Sequence, residues 1–208
     1  MSESEQEFYF VSHGPDSDPF WQAVIRGMET ASSLYGVTSH YTAPQDYAGD
    51  PADTLRRVLR EESPAGIAVT LTDPVRMEGP VRRALEREGI PVVVVNVPDD
   101  REESERIPYN YYVGMDEPAC GRRLAQATLD RGNVVDRAFV VIHEPGHTGL
   151  ERRVAGLRSV LDDRGIDLTV VEERRKDAIR DAVAANRAGD DPADTYFSLG
   201  PHATVVFS

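Results

Sequence analysis

Lysine, cysteine and long apolar runs are scarce in this chain of 208 residues, and each scarcity excludes a class of protein. Lys176 is the only lysine among 23 basic residues, which face 36 aspartates and glutamates, so the net charge is −13. So acidic a chain repels phosphate, which argues against nucleic acid and anionic membranes as partners. The single cysteine, Cys120, excludes an internal disulfide framework and a cysteine-rich zinc site.

The apolar residues are too dispersed for a membrane span, since no run approaches the length of about 18 residues that a transmembrane helix needs. We therefore expect no direct membrane insertion. Residues 1–7 are polar and carry neither a basic nor an apolar signal region, which predicts a disordered tail and no signal peptide. The acidic, lysine-poor composition is typical of a halophilic protein, because salt screens self-repulsion; a merely acidic protein from a GC-rich genome is the alternative.

Short apolar runs alternate with helical patterns along the chain. In the first half the patterns predict strands at 8–12, 37–41, 67–71 and 90–95. Aspartate followed by proline at Asp18, Asp50 and Asp73 predicts three helix starts, with the carboxylate as N-cap and proline at the first position. This alternation predicts right-handed βαβ units and an open, Rossmann-like parallel sheet.

The second half repeats the scheme after a polar, proline-bounded segment. Strands are predicted at 111–114, 138–142, 168–171 and 195–199, and a further helix is expected to begin near 205. We therefore predict an α/β protein with an N-terminal lobe at 8–97, a hinge or crossover at 98–111 and a C-terminal lobe at 112–208.

One motif invites an enzymatic interpretation. His143, Glu144, Pro145, Gly146 and His147 match the H-E-x-x-H pattern, in which two histidines one helical turn apart bind zinc. Proline followed by glycine favours a turn, so we predict a strand-to-helix loop with no metal, no cofactor and no catalytic residue. An α/β metal-dependent hydrolase that uses His143, Glu144 and His147 is the less favoured alternative.

Polar and aromatic residues cluster where the predicted strands end, which is where open α/β sheets bind ligands. The candidate ligand-binding residues are Ser12, Asp18, Phe20, Trp21, Thr70, Asp73, Asn96, Asp116, Glu144, Arg153 and Gly200. Rings cover the C–H faces of a sugar or polyol, while carboxylates, amides and arginine bind its hydroxyls. Purely structural alternatives remain. In these, the two aromatics pack in the core, Asp18 and Asp73 act only as N-caps, and Arg153 forms a surface pair with Glu151 or Asp162.

The order and spacing of several segments resemble the sugar-binding type I periplasmic binding proteins of the ribose-binding group. Their fold is shared with the effector domains of lac-repressor-type regulators. The segments that carry the resemblance are Ser12 with 18–21, 66–74, 88–96, 113–116 with Gly121, and 153–157. The resemblance implies two Rossmann-like lobes and a hinge at about 97–111 that lets them close on a ligand.

The resemblance also implies a function. The chain would be the substrate-binding protein of an ABC-type transporter, a non-enzymatic clamp whose partners are a small sugar and the permease. Implied roles are a ring sandwich by Phe20 and Trp21, and hydroxyl contacts from Asp18, Thr70, Asn96, Glu144 and Arg153. The effector domain of a transcriptional regulator is the alternative. The implied location is extracytoplasmic, or cytoplasmic if Met1 is the native start.

Some residues depart from the family pattern. Asn96 stands where many members carry aspartate, and Gly200 with Pro201 replaces an Asn-Asp pair, so the resemblance does not name the sugar. The family also continues well beyond Gly200 with a segment that completes both lobes. We therefore expect a C-terminally incomplete fold, an open apolar sheet edge in the first lobe, and weak or undetectable sugar binding by this chain alone.

Overall fold

The computed structural model describes residues 6–131 and 136–200, in which strands and helices alternate. The strands are β1 (Glu7–Val11), β2 (Thr38–Thr42), β3 (Gly66–Val69), β4 (Val92–Val95), β5 (Tyr111–Val113), β6 (Arg137–Ile142), β7 (Asp167–Glu172) and β8 (Thr195–Ser198). The helices are α1 (Pro19–Tyr35), α2 (Pro51–Glu61), α3 (Pro74–Arg82), α4 (Glu117–Asp130), α5 (Thr148–Asp162) and α6 (Lys176–Ala188), with a π-helical segment, Arg83–Arg87, directly after α3. The chain divides into two compact units, Met1–Gly114 and Met115–Ser208.

Aspartate N-caps begin the helices where the sequence predicts them. The carboxylates of Asp18, Asp50 and Asp73 each accept a backbone N–H from the first turn, and proline follows each of them. Gly36 ends α1 in the left-handed conformation, with φ of 65°, which a residue without Cβ adopts at little cost. The predicted starts of α1, α2 and α3 are confirmed.

Unit 1 is a five-stranded parallel sheet in the order β2-β1-β3-β4-β5. Helices α2 and α3 cover one face, where Leu55, Val58 and Met77 pack with Val11 and Val69, all at most 1% exposed. Helix α1 lies on the opposite face. Its Trp21 contacts Phe10, and Phe10 points away from the face on which its neighbours Tyr9 and Val11 enter the core. The predicted Rossmann-like parallel sheet is confirmed.

The segment predicted as a hinge is built into unit 1. Ile107 is 1% exposed and belongs to the hydrophobic core beneath the sheet. The fully buried carboxylate of Asp99 accepts the backbone N–H of Ile107 at 2.8 Å and a hydrogen bond from Arg101 Nη2, also at 2.8 Å. Buried apolar and paired polar groups therefore fix this stretch against the first sheet.

Strand β5 also belongs to unit 1, so its predicted place in the second lobe is wrong. It pairs in parallel with β4, with Tyr112 opposite Val94, and Tyr112 packs against the core of unit 1. As the last strand of the described sheet, β5 presents Tyr111 and Val113 to solvent, at 73% and 61% exposed. Among the described residues, β5 is therefore an edge strand with two exposed apolar side chains.

Unit 2 contains a three-stranded parallel sheet in the order β7-β6-β8. On one face Val140 and Ile142 pack against Leu157 of α5, and Ala125 of α4 joins the same cluster. The alternate β6 residues Phe139 and Val141 face α6 and its Ile179 on the other side. Helices therefore cover both faces of β6, which accounts for the continuous run of apolar residues in this strand.

Two glycines let α4 and α5 approach to backbone contact. A Cβ atom on Gly121 would lie 2.0 Å from the carbonyl oxygen of Arg153. A Cβ on Gly156 would lie 2.1 Å from the carbonyl oxygen of Pro118. Both distances are far inside van der Waals contact, so the crossing of these helices requires glycine at both positions.

Two predictions fall wholly or partly outside the described residues. The disordered tail was predicted at 1–7, of which 1–5 are not described, while Glu7 already pairs with Thr38 at the start of β1. The helix expected near 205 lies outside the described ranges. Among the described helices, none is both long enough and apolar enough to cross a bilayer.

Candidate functional site

The carboxyl ends of β1 and β3 lie side by side and bring Ser12, His13 and Thr70 together. The backbone N–H of His13 donates to Thr70 Oγ1 at 3.0 Å, and His13 Nδ1 lies 2.9 Å from the same oxygen. Ser12 Oγ accepts the N–H of Gly14 at 3.1 Å. All three side chains are buried, so Ser12 and Thr70 form part of a polar network that fixes the loop after β1.

Asp18 joins this loop to the start of α1. Its Oδ1 accepts the backbone N–H of Phe20 at 2.8 Å, and its Oδ2 accepts the hydroxyl of Tyr47 at 2.7 Å. The side chain is buried, with 8% of the residue exposed. Asp18 is thus the predicted N-cap, and it also receives a tyrosine hydroxyl that the sequence did not indicate.

The two adjacent aromatics occupy different environments. Trp21 is 1% exposed, and its ring contacts those of Phe10, His13 and Tyr41. Phe20 is 45% exposed and stands edge-on to Trp21, with the ring centroids 5.0 Å apart. Trp21 therefore belongs to the packed interior of unit 1, and Phe20 is the accessible ring of the pair.

Tyr41, at the carboxyl end of β2, is a further polar group in the same region. Its hydroxyl donates to the carbonyl of Gly14 at 2.7 Å. Burial raises the pKa of Tyr41 to about 12, and the nearby carboxylates of Asp16 and Asp18 act in the same direction. The hydroxyl therefore remains protonated and donates at neutral pH. The apolar pattern located β2 but did not single out its last residues.

Asn96 has an unusual backbone at the end of β4. Its φ is 64°, in the left-handed region that asparagine tolerates better than other side chains do. Two hydrogen bonds hold it there, from its N–H to the carbonyl of Val113 at 2.9 Å and from the Tyr112 hydroxyl to its carbonyl at 3.0 Å. The half-buried carboxamide makes no hydrogen bond to any residue in the described ranges, which leaves its donor and acceptor available.

Asp73 and Asp116 act as N-caps of helices that follow strands. Asp73 Oδ1 accepts the N–H of Arg76 at 3.1 Å, and Asp116 Oδ1 accepts that of Ala119 at 2.9 Å. Both aspartates are exposed. Capping alone accounts for the position of either carboxylate, as the sequence already allowed for Asp73.

Arg153 is held by a partner that sequence reasoning missed. Its Nε donates to Glu117 Oε2 at 2.6 Å, and its Nη2 lies 2.6 Å from the same oxygen. Its Nη1 donates to the carbonyl of Leu199 at 2.7 Å. The alternative, a surface pair with Glu151 or Asp162, is therefore wrong. Glu117 resembles an ordinary first-turn acid in the sequence, and only the packing of α4 on α5 brings it to Arg153.

The H-E-x-x-H segment is a loop, as predicted, since it lies between β6 and α5 and Gly146 has a φ of 81°. The N–H of His147 donates to the carbonyl of Glu144 at 3.1 Å, and His147 Nδ1 accepts the N–H of Leu150 at 3.3 Å. Burial, and then the charge of Arg153, lowers the pKa of His147 below its ordinary value. His147 is thus a neutral N-cap of α5, and Glu144 lies half-buried in the preceding turn.

Gly200 follows β8 and lies against His143. A Cβ atom on Gly200 would lie 1.9 Å from His143 Cε1, so only glycine fits without moving the imidazole ring. The carbonyl of Gly200 accepts the hydroxyl of Ser198 at 3.2 Å. Within unit 2, the ends of β6 and β8 therefore form a compact surface next to Arg153.

Comparison with known proteins gives this arrangement a context. A family model described as periplasmic binding protein domain matches residues 8–199. The xylose/arabinose-binding protein XylF of Sulfolobus acidocaldarius is 26% identical over 163 residues, which are 74% of this chain and 39% of that protein. The chain thus spans well under half the length of that relative.

Solved structures share the fold. A periplasmic sugar-binding protein of an ABC sugar transporter from Legionella pneumophila superposes with a TM-score of 0.86 at 24% identity, over 98% of this chain and 74% of that one. A carbohydrate transporter protein from Acidothermus cellulolyticus, solved with myo-inositol, gives 0.80 at 21% identity, over 98% and 68%. The family match covers nearly every described residue, and the parallel sheets agree with these folds. The chain therefore belongs to the periplasmic binding protein family.

Proposed function

We propose that this chain is the sugar-binding part of a solute-binding protein that serves an ABC-type transporter outside the cytoplasmic membrane. The observation that carries the proposal is the set of hydrogen-bonding side chains and one accessible aromatic ring at the carboxyl ends of the parallel strands. The names of the relatives support it, since they describe proteins for xylose, arabinose and other sugars or for myo-inositol. The chain binds and performs no chemistry.

The chemistry of the residues suits a polyhydroxylated ring. Phe20, at 45% exposed, covers a C–H face of the ring by apolar contact. The Asn96 carboxamide supplies both a donor and an acceptor to neighbouring hydroxyls, which a carboxylate cannot do. In unit 2, Arg153 supplies charge-assisted donors. The buried ring of Trp21 packs edge-on against Phe20 and supports it. The remaining candidates hold the loops in place.

The experiment is an NMR titration of the chain with D-xylose, L-arabinose, D-galactose and myo-inositol, because NMR detects affinities down to the millimolar range. Saturable shifts with one of these ligands are the expected result. As a second measurement, ligand at 100 times Kd should raise the free energy of unfolding by about 2.7 kcal/mol. No saturable shift with any of the four would contradict the proposal.

Matched variants assign the site. Phe20→Ala and Asn96→Gly should weaken binding by about 1–3 kcal/mol each, since each removes a ligand contact and glycine keeps the positive φ of position 96. Leu34→Ala is the control for Phe20, because Leu34 is also exposed on α1 but lies at its other end. Equal losses for Phe20→Ala and Leu34→Ala would remove Phe20 from the site.

A further inference from the structure

We infer that Glu117 is a positioning residue for Arg153, and that it sets the charge which this arginine presents to a ligand. The inference rests on the proposed function, in that it names the residue that controls one of the ligand-binding groups. Glu117 is 5% exposed and lies in the first turn of α4, while Arg153 lies one turn inside α5. Their contact is made where α4 crosses α5 at backbone contact.

Three hydrogen bonds or ion contacts fix the guanidinium. Nε and Nη2 both reach Glu117 Oε2 at 2.6 Å, and Nη1 donates to the Leu199 carbonyl at 2.7 Å. Because the guanidinium is planar, contacts along one edge and at a second nitrogen fix its orientation. The remaining N–H groups on Nη1 and Nη2 then point in set directions. Without Glu117 the side chain would keep only the carbonyl contact.

Glu117 also compensates the charge of Arg153. A buried carboxylate at 2.6 Å is far closer than solvent ions, and screening by salt is weak at such a site. The pair therefore presents donors with no net positive charge. A neutral hydroxyl gains from these donors, whereas an anionic ligand would also meet the nearby Glu117 carboxylate. We expect the pair to favour a neutral sugar over its uronic acid.

The backbone supports this arrangement from both sides. Gly121 and Gly156 hold α4 against α5 at backbone contact, so the distance between Glu117 and Arg153 has little freedom. The Leu199 carbonyl belongs to the end of β8, directly before Gly200. From its place in α5, Arg153 thus contacts the start of α4 and the end of β8, so its orientation depends on the positions of all three elements.

The first test compares D-galactose with D-galacturonate, and D-glucose with D-glucuronate, by the same NMR titration. The parent chain should favour the neutral member of whichever pair binds. Glu117→Gln keeps the size and one acceptor but removes the charge, so the preference for the neutral sugar should fall by about tenfold or more, which corresponds to 1.4 kcal/mol. Glu117→Asp keeps the charge and should retain most of the preference.

The control is Glu151→Gln, which removes an exposed acid from the first turn of α5. It changes the net charge by the same amount and should leave the preference unchanged. An unchanged preference in a folded Glu117→Gln chain, or an equal change in Glu151→Gln, would overturn the inference. Circular dichroism establishes folding in each variant.

A second measurement needs no ligand. In ¹H–¹⁵N spectra of the parent, the Nε–H of Arg153, assigned by its disappearance in Arg153→Lys, should exchange slowly with water. The resonance should lose its protection in Glu117→Ala and keep it in Glu151→Gln. Rapid exchange of the Arg153 Nε–H in the parent would overturn the positioning role. If the Nε–H is protected but the chain binds none of D-xylose, L-arabinose, D-galactose and myo-inositol, the proposed function is overturned instead, and with it the ligand role of the pair.

Discussion

Asp99 provides the sharpest test of how the 98–111 segment is held. Its side chain is fully buried and accepts hydrogen bonds from the backbone N–H of Arg101 and Ile107 and from the Arg101 guanidinium, at 2.8–3.1 Å for the shortest of each. Arg101 in turn reaches Glu78 at 3.0 Å. We expect Asp99→Asn to destabilise unit 1, because it removes the charge that pairs with a mostly buried arginine.

The magnitude follows from the contacts. Hydrogen bonds to a charged group contribute about 1.5–3 kcal/mol each, and removing one member of a buried pair costs about 3–5 kcal/mol. Asparagine keeps one acceptor, and Glu78 continues to pair with the arginine, so we expect a loss of about 2–4 kcal/mol at pH 7. Asp100→Asn is the control, because Asp100 is the exposed neighbour and should change stability by less than about 0.5 kcal/mol.

The pH dependence follows from the direction of the pKa shift. Burial raises the pKa of Asp99, but the hydrogen bonds from Arg101 and Ile107 outweigh it and hold the pKa below its ordinary value. The carboxylate therefore stabilises the fold above the unfolded-state pKa of about 3.9, and this contribution is lost as the pH falls through the lower folded-state pKa. The difference between parent and Asp99→Asn should shrink below about pH 4.

Urea unfolding followed by tryptophan fluorescence measures the effect in the right unit, since Trp21 is the only tryptophan and is buried in unit 1. The parent, Asp99→Asn and Asp100→Asn are compared between pH 3 and pH 7. A loss at pH 7 no larger than that of Asp100→Asn, or a loss independent of pH, would refute the reasoning.

Three further predictions concern packing, salt and the sheet edge. Gly121→Ala should destabilise unit 2 by about 1–3 kcal/mol in urea unfolding followed by circular dichroism, because its Cβ would meet a backbone carbonyl at 2.0 Å. Gly27→Ala, on open helix surface, should instead be neutral or stabilising, and equal effects would contradict the packing argument. Raising KCl from 0.1 to 2 M should increase the melting temperature, since salt screens the charge of −13; a lower melting temperature would argue against salt adaptation. Tyr111→Lys should reduce concentration-dependent light scattering by placing charge on edge strand β5, and unchanged scattering would show that this edge does not associate.

Local chemistry made most of the secondary structure predictable. An aspartate followed by proline specifies a helix start within two or three residues, because the carboxylate satisfies a free N–H and proline lacks one. The continuous apolar runs of β4 and β6 likewise indicate strands of a covered parallel sheet. The π-helical segment was not predicted. It begins three residues after Pro80, whose missing N–H weakens the helical ladder, but nothing in the local sequence says how the next turn adjusts.

Long-range packing decided what the sequence left open. Segment 98–111 is polar and charged, so it resembles a linker, yet Ile107 enters the core and Asp99 is satisfied by its neighbours. The partner of Arg153 lies 36 positions away and depends on two glycines that permit the helix crossing. Phe20 and Trp21 are adjacent aromatics that face different environments, a difference that depends on the loop after β1.

The contacts divide the candidate residues into those that hold the site and those free to bind. Both carboxylate oxygens of Asp18 already accept protein hydrogen bonds, and Thr70 is fully buried beside His13. A hydroxyl that approached either group would have to displace an existing bond, so the net gain would be small. The Asn96 carboxamide has no such competitor among the described residues, and Phe20 is accessible. The affinity contributed by unit 1 should therefore depend on these two residues, and losses at Asp18 or Thr70 should appear first as losses of stability.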